Sequence, residues 1–107
     1  MKPIRLSEVC EFLPGKFRPA LVYGSEKMRA FVLCLEPGQG MEPRADSEEM
    51  VCYVLEGRGR LRVGEDEHEV SAGEFAGVAG GEVRGVEAEE RMTVLWVQVS
   101  AAKGCDG

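Results

Sequence analysis

Stretches of apolar residues, each about the length of one strand, recur along the chain at short intervals, and none of them carries a sustained helical stripe. The expected strands are Ile4 to Val9, Arg18 to Tyr23, Met28 to Glu36, Met50 to Leu55, Gly59 to Val63, Glu67 to Val70, Phe75 to Val78, Glu82 to Val86 and Met92 to Val99. Between them stand Pro14-Gly15, Gly24-Ser25, Pro37-Gly38, Glu56-Gly57, Gly64-Glu65-Asp66, Ala72-Gly73 and Gly80-Gly81. Such pairs supply the positive or fixed φ that a tight reversal requires. The pattern predicts an all-β sandwich or barrel with little helix. Ala30 to Leu35, Met50 to Leu55 and Thr93 to Val99 are apolar on nearly every residue. Both faces of those strands must therefore be covered by protein, as in a closed barrel or a paired dimer. The charged stretches Glu42 to Glu49, Glu65 to Glu69 and Glu87 to Arg91 read as solvated loops and turns.

A chain of 107 residues has room for one core, because a domain of this size buries only roughly 60 to 68% of the surface of its unfolded form. Residues 1–100 are read as a single domain and 101–107, rich in small and polar residues, as a frayed tail. Thirteen Lys and Arg against nineteen Asp and Glu give a formal net charge of −6. Phosphate-backbone binding needs a basic stripe that releases counterions, so nucleic acid is set aside as a partner. The chain has no apolar run of about 18 residues and no apolar segment near Met1 of the secretory kind, so a membrane role is not expected and a cytoplasmic location is.

The cysteines, Cys10, Cys34, Cys52 and Cys105, show no Cys-x-x-Cys pair that would offer two thiolates to zinc. Cys34 and Cys52 lie in apolar runs, where free thiols act as small hydrophobes, so buried reduced thiols are expected. The one histidine, His68, sits in a charged hairpin and is read as solvated rather than as a metal ligand.

From Pro37 to Glu87 the chain resembles a cupin, a small double-stranded β-helix or jelly-roll barrel. The segment Gly38 to Gly57 follows the frame of the first cupin motif, with its Pro37-Gly38 opening and Tyr53-Val54-Leu55-Glu56-Gly57 ending. Gly73 and Gly81 match glycines of the second motif. More loosely, the likeness extends over nearly the whole chain. In metal-dependent cupins the first motif supplies two histidines and a glutamate and the second another histidine. Position by position, the resemblance places Arg44 and Asp46 where the first two histidines stand, Met50 where the glutamate stands and Arg84 at the last histidine. A guanidinium has no lone pair to donate and would repel a cation. A thioether suits Cu(I) rather than a hard dication. No metal and no other cofactor is therefore expected, and Asp46 alone could coordinate. Glu49 cannot replace Met50, because alternate residues of a strand face opposite ways.

The resemblance implies that Arg44, Asp46 and Arg84 converge in the barrel mouth. Two readings stay open: a closed salt-bridge plug through Asp46, or a guanidinium clamp for a small carboxylate or phosphate. By alternation from Met50, Cys52 shares the inward face and lines the pocket, with no base beside it in sequence to activate its thiol. Trp96 reads as core or dimer contact. The expected function is non-catalytic or sensory binding of a small anionic molecule, with Arg44, Asp46, Met50, Cys52 and Arg84 as ligand-binding residues. The alternatives are a metal-independent isomerase or lyase with Asp46 as base, and a metal-dependent oxygenase with an atypical ligand set. A homodimer is expected, since apolar N-terminal strands need cover and related small cupins pair through them.

Overall fold

The computed structural model describes residues 1–100, so the expected tail at 101–107 lies outside the described residues. The elements follow in the order α1 (Leu6–Val9), β1 (Ala20–Gly24), β2 (Met28–Leu35), β3 (Gly40–Ala45), β4 (Glu49–Glu56), β5 (Arg58–Val63), β6 (Asp66–Ser71), β7 (Phe75–Val78), β8 (Val83–Ala88) and β9 (Met92–Val99). They build two antiparallel sheets, one ordered β1-β2-β9-β4-β7 and the other β3-β8-β5-β6. Alternation along the strands decides which residues fill the space between the sheets. Met50, Cys52 and Val54 of β4 point inward with Met92, Val94 and Trp96 of β9 and Leu33 and Leu35 of β2, and they meet Leu61, Val86 and Ala88 of the second sheet. Trp96, Leu33, Leu35, Met50, Met92 and Val94 are essentially inaccessible to solvent. Each contributes about 1.5 to 3 kcal/mol of apolar burial, so the core alone gives reason for the sheets to close on each other.

The doubly apolar strands find cover on their second face as well. Val32 pairs with Leu95 and Cys34 with Thr93 on the outer side of the five-stranded sheet, yet Val32, Cys34 and Thr93 are buried. The cover is the chain's own N-terminal segment. Val9, Leu13 and Pro19 border the same recess as Val32 and Cys34, and Leu6 and Phe12 border one with Leu55 and Thr93. Three expectations need correction here. Ile4 to Val9 is not a strand: Leu6 to Val9 form a single helical turn, in which Leu6, Val9 and Cys10 follow the i, i+3, i+4 spacing of one helix face. Gly40–Ala45 is a strand, hidden in sequence because Glu42, Pro43 and Arg44 are all exposed at a bulge against β8. Cys10 and Cys34 are joined in a disulfide, with their Cα atoms 5.8 Å apart, inside the span such a bond requires. Cys34 faces outward beneath the N-terminal segment rather than into the barrel, and that placement brings Cys10 over it. Cys52 is the free, buried thiol among the described residues, as expected.

Candidate functional site

The sheet register brings Arg44 and Arg84 together. They are direct cross-strand partners on β3 and β8, at the end of the barrel where β4 begins. Their roles differ because their surroundings differ. Arg44 is exposed and makes no ion pair or side-chain hydrogen bond among the described residues. Arg84 is 4% exposed.

The Arg84 guanidinium is taken up by main-chain oxygens. Its Nη1 donates to the Glu48 carbonyl at 2.6 Å. Its Nη2 donates to the carbonyls of Asp46 at 3.1 Å, Ala79 at 3.0 Å and Glu82 at 3.1 Å, and Nε reaches Glu82 again at 3.2 Å. Only a planar fork with several N–H groups can serve four carbonyls in this way. The result is a staple between the β3–β4 turn at residues 46–48 and the β7–β8 turn at residues 79–82. These turns touch directly as well: a Cβ on Gly80 would stand 2.5 Å from the Ser47 carbonyl oxygen. The salt-bridge plug, one of the two readings left open, is not formed: among the described residues neither Arg44 nor Arg84 pairs with the Asp46 carboxylate. That carboxylate instead accepts the Glu48 N–H at 2.8 Å, closing an Asx-type turn, while the Asp46 carbonyl accepts from both Arg84 and the Gly81 N–H.

Four residues that the sequence analysis did not single out for the site complete the barrel mouth. The Glu48 side chain, 18% exposed, pairs with Arg29 and accepts a hydrogen bond from Gln98 Nε2 at 2.5 Å. Gln98 in turn accepts from the Trp96 indole N–H at 3.1 Å, so the buried ring has its one donor satisfied. Gln98 sits opposite both Met50 and Arg29 in the sheet, which sets the polar chain directly above the apolar floor. The signal in sequence was present but weak. Arg29 and Gln98 are polar residues at inward positions of otherwise apolar strands.

Met50 is 0% and Cys52 4% exposed, so both belong to the packed core beneath the mouth. Burial pushes the Cys52 thiol from its ordinary 9.0 up to about 11, and a backbone hydrogen bond with Ala76 pulls weakly the other way. The thiolate is thereby disfavoured. Glu49 is exposed and outward, as alternation requires. His68 is exposed on β6, and arginines of β5 pair with four glutamates: Arg58 with Glu90, Arg60 with Glu87 and Glu89, and Arg62 with Glu67.

The residues at the positions where related barrels hold a dication do not fit one. Two are guanidinium groups, one is a buried thioether, and the lone carboxylate is committed to a turn. Among the described residues no group of three or more His, Cys, Asp or Glu side chains is placed to share an ion.

Comparison with known proteins bears on the fold. Curated proteins offer no match. Among solved structures, the chain is similar to TT1209 from Thermus thermophilus, with 29% identity over 92% of this chain and 97% of that one and a TM-score of 0.86. An RmlC-like cupin from Desulfovibrio desulfuricans shows 26% identity, coverage of 92% and 96%, and a TM-score of 0.82. KdgF from Halomonas shares the fold alone, at 13% identity over 82% of this chain and 83% of its own, with a TM-score of 0.70. Residues 31–98 match the family model of the cupin domain, and by that match, its two sheets and its motif glycines the chain belongs to the cupin family.

Proposed function

We propose that this chain is a metal-independent cupin that binds a small carboxylate or phosphate at the barrel mouth, as a binding or sensory protein rather than an enzyme. The observation that carries the reading is the division of labour between the two arginines. Arg84 spends its N–H groups on four carbonyls and fixes both turns, while Arg44, across from it, keeps a free and exposed fork. A free guanidinium held on a rigid strand suits a planar anion. In this reading Asp46 sets the turn beside it, and Met50 and Cys52 form the apolar floor. The test is a thermal shift series with citrate, phosphate and simple carboxylates. An anion at one hundred times its dissociation constant adds about 2.7 kcal/mol of stability. That gain should vanish in Arg44→Ala, and a flat response of the wild-type protein across the series refutes the reading. Stoichiometric iron, manganese, nickel or zinc in the purified protein refutes its metal independence.

The same reading includes a homodimer in the cytoplasm. Its support is the outer face of the five-stranded sheet beyond the N-terminal segment, where Tyr23, Tyr53, Phe75 and Val99 remain exposed beside Val51, Leu95 and Val97. A second copy would cover this face isologously. Sedimentation of the wild-type protein as a monomer at micromolar concentration removes the dimer, and Phe75→Glu is expected to dissociate it. No helix among the described residues is long and apolar enough to cross a membrane.

A further inference from the structure

The outer face of the four-stranded sheet, opposite to the barrel interior, carries a second feature. A concavity of about 280 Å³ lies between the β3 bulge and β5. Its floor is Gly85, and its walls include Glu42 and Pro43 on one side and Arg60 and Arg62 on the other. Gly85 is needed for this shape. A Cβ there would stand 2.9 Å from the Met41 carbonyl oxygen and the Pro43 Cα, so the bulge folds down close over β8 only because position 85 has no side chain.

The charged groups around the concavity are not equally engaged. Arg60 is spent, since it hydrogen-bonds Glu87 at 3.3 Å and lies 3.6 Å from Glu89. Arg62, the cross-strand partner of Gly85, makes a long ion pair with Glu67, but its side chain has no hydrogen bond among the described residues. Its Nε is buried without a partner, and Glu67 stands 3.8 Å from its Nη2, beyond hydrogen-bond reach. A guanidinium in that state lacks an acceptor. On the opposite wall Glu42 is exposed and makes no ion pair or side-chain hydrogen bond among the described residues. One guanidinium without a hydrogen-bond acceptor and one free carboxylate therefore rise from the two strands that flank β8, about 9 to 10 Å apart at the main chain. Glu42, Glu67 and Glu87 would repel a bare anion, and Arg60 and Arg62 would repel a bare cation. A molecule with opposite charges at its two ends satisfies both walls.

We propose that this concavity binds a small zwitterion of amino-acid or dipeptide size, its carboxylate on Arg62 and its ammonium group on Glu42. The volume lies at the small end of ligand sites, which run to roughly 300 to 1,000 Å³, and that limits the occupant to a short molecule. The site is independent of the barrel mouth, and so is its test.

The experiment is an amide NMR titration of the full chain with ε-aminocaproate, caproate and hexylamine as probes. Shifts are expected at residues 40–43, 60–62 and 85–87 with ε-aminocaproate, and at least about tenfold weaker binding of either singly charged probe, or about 1.4 kcal/mol. Arg62→Gln and Glu42→Gln, both at partly or fully exposed positions, should each weaken the zwitterion by a similar factor while keeping a native spectrum. Arg62→Lys should fall between them and the wild type, and Arg44→Ala should leave the titration unchanged. The proposal is overturned if the three probes bind alike, if the shifts map elsewhere, or if ε-aminocaproate, lysine and glycylglycine all leave these amides unmoved.

Discussion

Replacing Arg84 by Met keeps the bulk of the side chain and removes every N–H that staples the two turns. The structure sets the size of the loss. Of the four carbonyls involved, Asp46 retains the Gly81 N–H and Ala79 retains the Glu82 N–H. Among the described residues, Glu48 and Glu82 lose the only donors given to them outside the strands. Two carbonyls left unpaired at a part-buried site cost about 1 to 3 kcal/mol each, for a total of about 2 to 6 kcal/mol. The gain from no longer burying a charge offsets part of this, so the lower half of the range is expected. Arg84→Lys should cost nearly as much, because an ammonium group keeps the buried charge but cannot span both turns. Urea unfolding followed by Trp96 fluorescence measures the loss, the indole being buried in the folded state. A Met variant within about 0.5 kcal/mol of wild type, at unchanged slope, would refute the staple.

Cys52 should resist thiol reagents in the folded protein at pH 8 and react once urea unfolds it. Its pKa is raised by burial from 9.0 to about 11, so the stability tied to its neutral form is complete below about pH 9 and is lost as pH climbs toward 11. The loss amounts to about 2 to 3 kcal/mol. A Cys52→Ala protein that shows the same alkaline decline would count against that assignment. Opening the Cys10–Cys34 bond, which closes a loop of 24 residues in sequence separation, should lower stability by about 3 kcal/mol in the chain-entropy account. Melting with and without dithiothreitol measures this, and equal midpoints would show that the bond is not formed in the folded protein. Counting free thiols in protein taken directly from growing cells tests the cytoplasmic location as well, because that compartment keeps thiols reduced.

The strands that carry the core were legible because their constraint is local. Two-residue alternation and the Gly-containing turns place Met50 and Cys52 inside without any knowledge of the partner strands. The elements that were not legible answer to distant partners. β3 hides in a charged, proline-containing stretch because its bulge faces solvent, and its strand character comes from pairing with β8. The turn at Leu6–Val9 is too short for a period to show, and Leu6 and Val9 are half-buried because they lie against the outer face of a sheet. At the barrel mouth, residue type showed that Arg44 and Arg84 cannot ligate a metal. It could not show that one arginine would bond to backbone oxygens and the other to nothing, because carbonyl positions leave no mark in sequence. Arg29, Glu48 and Gln98 escaped notice for the same reason, since each reads as an ordinary polar residue until the register sets them side by side.

The cation that ties the β3–β4 turn to the β7–β8 turn is covalently part of the polypeptide. It arrives in fixed stoichiometry with every copy synthesised, cannot be stripped by a chelator, and cannot be exchanged for the wrong element when supply changes. Two turns joined in this manner are held together as soon as the chain has folded, with no separate component needed to make that tie.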